Sequence, residues 1–240
     1  LFSIRTFPIG IPSLMVGMMS SENPIGTPIT IDLESGNMIM GWFFILLIVG
    51  LLLGSIYFAL TASVVKGPGY SLNVSQILNQ TVQGFFLSVI IFAAVTLLAL
   101  PVSCLLSSIM LVMPSLGNFP ITVLGLIAVW ITLPLVFSPH GIFFEDLRVG
   151  KSIMMSVRLV RSLMSVTGLF FILLILIGYG LDILWTTPAS DNWILAVGII
   201  GHAFISTGVL AATFIYYDKG VKWLKHSVQP KKQENTKVVS

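Results

Sequence analysis

The sequence predicts an all-α, polytopic integral membrane bundle: five full spans, a partial or re-entrant N-terminal span, and a cytoplasmic interfacial amphipathic helix. Three observations predict it. Of the 240 residues 56% are hydrophobic and 9% charged, and mean hydropathy is +1.01. A soluble domain carries roughly 25% charged residues, because its surface needs polar cover. Residues 67–144 hold no Asp, Glu, Lys or Arg, and neither do residues 35–65. An ionised group at a helix centre costs about 2.5–3.5 kcal/mol on insertion scales, so such stretches suit lipid. Third, the charges between the apolar stretches sort by sign.

The elements follow in chain order. Residues 1–20 carry one charge, Arg5, and are interrupted by Pro8, Gly10 and Pro12. They fall short of the about 20 apolar residues a span needs and lack a signal-peptide cleavage pattern. The segment reads as the remainder of a span whose beginning is missing, or as a re-entrant piece. The first full span is expected over residues 38–64, stopped by Gly67, Pro68 and Gly69. A polar but uncharged stretch, 70–83, forms a helical lead-in to the second span, 85–111. Pro120 opens the third, 119–137, where a missing N–H is harmless. The fourth covers 166–184 and the fifth 193–215, with Ser190 or Asp191 placed to cap its start. Pro101 and Pro134 are expected to kink their helices as packing features. Residues 1–225 form one transmembrane domain, and 226–240 a basic, disordered cytoplasmic tail.

Orientation follows from the basic residues. Arg5, Lys66, Arg148, Lys151, Arg158, Arg161, Lys219, Lys222, Lys225, Lys231, Lys232 and Lys237 all fall on one side of these spans. The other side receives Glu22, Asp32, Glu34, Asp182 and Asp191. The positive-inside rule assigns the basic side, with the C-terminus, to the cytoplasm. Trp42, Trp185, Trp193, Tyr216, Tyr217 and Trp223 lie near span ends, where an amphipathic ring straddles the headgroup boundary.

The internal charged stretch is 145–165. As a helix over 149–165 it puts Val149, Ile153, Val157, Val160 and Met164 on one face, and Lys151, Arg158, Arg161, Ser162 and Ser165 on the other. That is the pattern of an interfacial helix whose cationic heads reach anionic lipid phosphates. Lys219, Lys222 and Lys225 extend the same cytoplasmic basic surface. Glu145, Gly150, Ser152, Ser156, Leu159 and Arg161 carry the pattern "E…G…A-hydrophobic…S…L-V-R". This resembles a group of uncharacterised prokaryotic six-helix membrane proteins, the YciC-like proteins and the membrane domain attached to some glycerophosphoryl diester phosphodiesterases. The resemblance implies a fold and a place in the prokaryotic cytoplasmic membrane, and no reaction.

Several residues invite chemistry. Glu145 pairs with Arg148 or favours the following helix start, a reading preferred over cation binding or acid–base work. Ser152 and Ser156 are expected to bond backbone or a neighbouring helix, since no partner base is in view. Gly50 and Gly54 form a GxxxG that permits close helix approach, within the chain or in a homodimer. Gly198 and Gly201 extend a small-residue stripe beside His202. His202 reads as the ionisable residue well inside a full span, hydrogen-bonded to a neighbouring helix rather than serving transport or a metal. Cys104 reads as a small core residue. No cofactor, metal or catalytic set is expected. The expected partners are membrane lipids, with a membrane protein or a second copy beside them, and no nucleic acid. The function class is a non-enzymatic assembly or lipid-interacting component, with a transporter subunit as the alternative.

Overall fold

A computed structural model describes residues 35–113, 119–187 and 193–237. The expectations for residues 1–20, and for a cap at Ser190 or Asp191, lie outside them. The described residues are helical almost throughout, and five helices are long and apolar enough to cross a membrane.

Helix α1 is Gly36–Lys66, started by Ser35, whose Oγ accepts from Met38 N at 3.3 Å. It stops at Gly67 and Gly69, with φ of 94° and 103°, a left-handed backbone that glycine adopts without strain. Helix α2 is Val74–Val112, capped by Asn73 and continuous through Pro101. Its first turns are the polar lead-in. Helix α3, Phe119–Thr132, runs into a 3₁₀ turn at Leu133–Leu135. Helix α4, Ser138–Glu145, follows with Pro139 in its first turn. The third span therefore does not end at residue 137: apolar helix continues across the Pro134 break to Glu145. Helix α5 is Val149–Ser162, α6 Met164–Thr186 and α7 Ile194–Lys237. The expected helix 149–165 is shorter by three residues, because Leu163 leaves helical geometry (φ −120°, ψ 31°) and α6 starts behind it. Helix α7 also carries on beyond residue 226, where a disordered tail is expected.

Helices α1 and α7 lie side by side, linked by a hydrogen bond from Tyr57 OH to Thr207 Oγ1 at 3.1 Å. Short α4 sits among α1, α2, α5 and α7. Around it are Phe58, Leu87, Ile142, Phe143 and Phe214 on one side, and Phe137, Leu159, Val160 and Tyr217 on the other. This core occupies the end of the bundle that carries Lys66, Glu145 and Lys225, the charged end. Away from it, α3 and the distant halves of α1 and α2 expose apolar side chains on nearly all faces. Such surface suits lipid as its solvent. Cys104 belongs to this exposed stretch of α2 rather than to the core, and a small apolar side chain there suits lipid as well as a protein interior.

Candidate functional site

The site begins with a broken helix. Pro134 has no N–H, and the chain passes through a 3₁₀ turn before α4 can start. Ser156 of α5 repairs the break. Its hydroxyl donates to Pro134 O at 2.6 Å and accepts from Phe137 N at 3.1 Å, so one side chain stands where a helical hydrogen bond would run. One turn away, Ser152 Oγ donates to Ser138 O. Gly141 lets the helices meet: a Cβ there would overlap Ser152 Oγ and lie 3.0 Å from Tyr217 OH.

These bonds set which side of α5 faces in. Val149, Ser152, Ser156, Leu159 and Val160 are buried. Of the apolar face read from sequence, Val149 and Val160 are buried, Ile153 and Val157 only partly, and Met164 is exposed. The inward side is thus centred on two serines, because the broken α3–α4 backbone needs polar partners in a dry core. Lys151, Arg158 and Arg161 remain exposed on the opposite side, with Met154 between them.

The turn after α4 is held from α2. Glu145 is followed by Asp146 in left-handed geometry (φ 54°), which Asp tolerates better than most side chains. The N–H groups of Asp146 and Leu147 both point to Gly141 O. Gln76, Gln80 and Gln83, spaced four and three apart on α2, then close on the turn. Gln76 Nε2 donates to both Asp146 oxygens at 2.9 Å, and also to Tyr70 OH. Gln80 Nε2 donates to Asp146 Oδ1 at 2.6 Å, and Gln83 Oε1 accepts from Val149 N at 3.2 Å, an otherwise unpaired donor at the start of α5. Glu145 does not pair with Arg148. It accepts from Lys225 Nζ at 3.0 Å and from Tyr217 OH at 3.4 Å, tying α4 to α7.

Above this turn lies His140, 1% exposed. Phe58, Phe137, Phe214 and Tyr217 surround its ring, and its Nε2 meets Thr213 Oγ1 at 2.7 Å.

The other sequence-predicted residues stand apart. Leu159 packs on Gly220 of α7, where a Cβ would lie 2.5 Å from its Cδ1. Gly150 has open space beside it, so its place in the motif has no packing role here. Lys219 is exposed, and Lys222 pairs with Asp218 at 2.6 Å. Gly198 and Gly201 permit the close approach of α7 to α6 at Trp185: a Cβ at Gly198 would stand 2.9 Å from Trp185 O, and one at Gly201 2.7 Å from the Trp185 ring. Gly54 is buried within the chain while Gly50 faces open space. His202 is 7% exposed on α7. It is not alone at depth, since His140 is buried deeper within a helix that the sequence reading ended too early. Among the described residues no group of three His, Cys, Asp or Glu side chains could hold a metal.

Sequence reasoning missed His140, Gly141, Thr213 and the three glutamines. The glutamines left a legible trace, a one-faced 76–80–83 spacing in a chain that is otherwise apolar. Chemically the site does one thing well: it fixes a charged turn and a basic helix on the end of an apolar bundle. Comparison with known protein families, curated proteins and solved structures gives no match to this chain.

Proposed function

We propose that this chain is a non-enzymatic, multi-pass component of the prokaryotic cytoplasmic membrane that binds anionic lipid headgroups and serves in membrane assembly. In this reading the charged end faces the cytoplasm, and α5 lies in the interface with Lys151, Arg158 and Arg161 turned to phosphates. The observation that carries it is the rigid presentation of those cations. The opposite side of α5 is pinned by Ser152 and Ser156, so the basic side cannot roll into the core. The resemblance to YciC-like proteins, centred on the same residues, agrees with it. The test is lipid analysis after gentle extraction: anionic lipid should copurify above its bulk share. The combined change Lys151→Gln, Arg158→Gln, Arg161→Gln should remove that enrichment, and an unchanged lipid profile would overturn the reading. Crosslinking in membranes should recover a stable membrane-protein partner or a second copy.

A transporter subunit is the second reading, favoured by one observation: buried hydroxyls and an imidazole, Ser55, Ser206 and His140, lie between helices of an apolar bundle. Substrate uptake into proteoliposomes that is abolished by His140→Gln, with the fold kept, would establish it over the first.

A further inference from the structure

We infer that the junction of α1, α4 and α7 is an internal water site, with the His140 imidazole as its principal acceptor. Thr213 fixes the ring. Its hydroxyl has a single hydrogen, which goes to Leu210 O at 2.7 Å, so toward His140 it can only accept. His140 Nε2 therefore carries the hydrogen, and in the neutral ring Nδ1 is left as an acceptor. Nδ1 is fully buried, and no protein donor reaches it.

Two further groups at this junction share that state. Ser55 on α1 and Ser206 on α7 are 0% and 3% exposed, and their hydroxyls also have no protein partner. Several contacts bring them to one seam. Tyr57 meets Thr207, which puts Ser55 and Ser206 at a similar height on neighbouring helices. Phe58, one turn beyond Ser55, touches the His140 and Phe214 rings at centroid distances of 6.4 and 6.1 Å. Ser206 and Thr213 are seven residues apart, hence on one face of α7, with about 10 Å of rise between them. Two waters in a chain span the part of that distance which side chains do not.

A buried polar atom left unpaired costs about 1–3 kcal/mol. Three such atoms along one seam match what ordered water needs, two to four polar partners in a confined space. A chain of two waters, one donating to His140 Nδ1 and the other exchanging hydrogen bonds with Ser55 and Ser206, satisfies all three. The alternative, a dry seam, leaves an imidazole acceptor among four aromatic rings. This inference does not depend on the lipid-binding reading, since none of its residues lies on the basic surface.

The test is water-edited solid-state NMR on full-length, histidine-labelled protein in bilayers, with the signal assigned by its loss in His140→Gln. Polarisation should pass from water to the His140 ring faster than to the equally buried Leu87 side chain. In the double variant Ser55→Ala, Ser206→Ala, which removes only two oxygens, that transfer should fall several-fold while the His140 signal stays folded-like. Transfer to His140 no faster than to Leu87 would overturn the proposal. So would transfer unaffected by loss of both hydroxyls, because the water would then be held by other groups.

Discussion

Ser156 stands in for a bond that the helix cannot make, and the cost of losing it can be reasoned from its two partners. Without the hydroxyl, the N–H of Phe137, a residue with 0% exposure, and the carbonyl of Pro134 lose their bridge. Leaving such a group unmet costs about 1–3 kcal/mol. Ser156→Ala should therefore lower the unfolding free energy in detergent by about 2 kcal/mol, whereas exposed Ser165→Ala should change it by less than about 0.5 kcal/mol. Equal effects would remove the special role of Ser156. Gly141 makes a complementary case, of space rather than polarity. An added methyl meets Ser152 Oγ in a tight core, and overpacking of this kind costs about 1–3 kcal/mol. Because the clash is with that oxygen, Gly141→Ala and Ser152→Ala should be less than additive when combined. Strict additivity in a double-mutant cycle would mean that the methyl is relieved elsewhere.

At the scale of elements, two kinds of tie hold the α4–α5 turn, and magnitudes rank them. Gln80 is 1% exposed and donates to a carboxylate, a charge-assisted bond of the kind worth about 1.5–3 kcal/mol. The Lys225–Glu145 pair has side chains 59% and 23% exposed, so solvent and salt screen it to about 0–1 kcal/mol. Gln80→Leu should thus destabilise more than Lys225→Ala. The lysine effect should also shrink further at high salt, while the glutamine effect does not. Denaturation series at low and high ionic strength separate the two. A larger loss from Lys225→Ala would reverse the ranking of what holds the α4–α5 turn. This ranking also explains what the sequence left legible. Long charge-free runs mark helices apolar enough to cross a membrane because only composition matters there; all five emerge, with close limits for α1 and α6 and spans read too short for the other three. Glu145 and the serines attract notice as polar residues beside apolar ones. The break at Pro134 was harder, because a proline forecasts a kink but not the side chain from another helix that mends it. His140 was hidden by the same break, since a span ended at residue 137 leaves the histidine outside. The inward turn of Ser152 and Ser156 reverses the hydrophobic pattern locally, which periodicity cannot anticipate.

For the whole molecule the governing quantity is the asymmetry of charge between its two ends. Lys66 closes α1, Arg148 to Arg161 follow α4, and Lys219 to Lys225 extend α7, so every described basic residue is reached by a chain passing toward the charged end. Helices α1 and α7 run parallel, since Tyr57 meets Thr207 and, further along both, Phe144 links Lys66 to Phe214, and α2, α3–α4 and α6 alternate between them. Ser227, one turn beyond Trp223 on α7, then belongs with the cations. Residue 190 follows α6 and precedes α7 in the sequence, so the proposed topology assigns it to the opposite side. Loops rich in Lys and Arg are retained in the cytoplasm during insertion. In a Cys104→Ser background, Ser190→Cys should therefore react with an impermeant thiol reagent applied to intact cells. Ser227→Cys should react only after the membrane is opened. Helix α7 alone separates the two positions, which makes this a strict test of one crossing: if α7 failed to span the bilayer, both positions would label from one side. Same-side labelling would thus remove a crossing from the bundle. Reversed labelling would keep the crossings and discard the cytoplasmic placement of α5, and with it the lipid surface its arginines are proposed to meet.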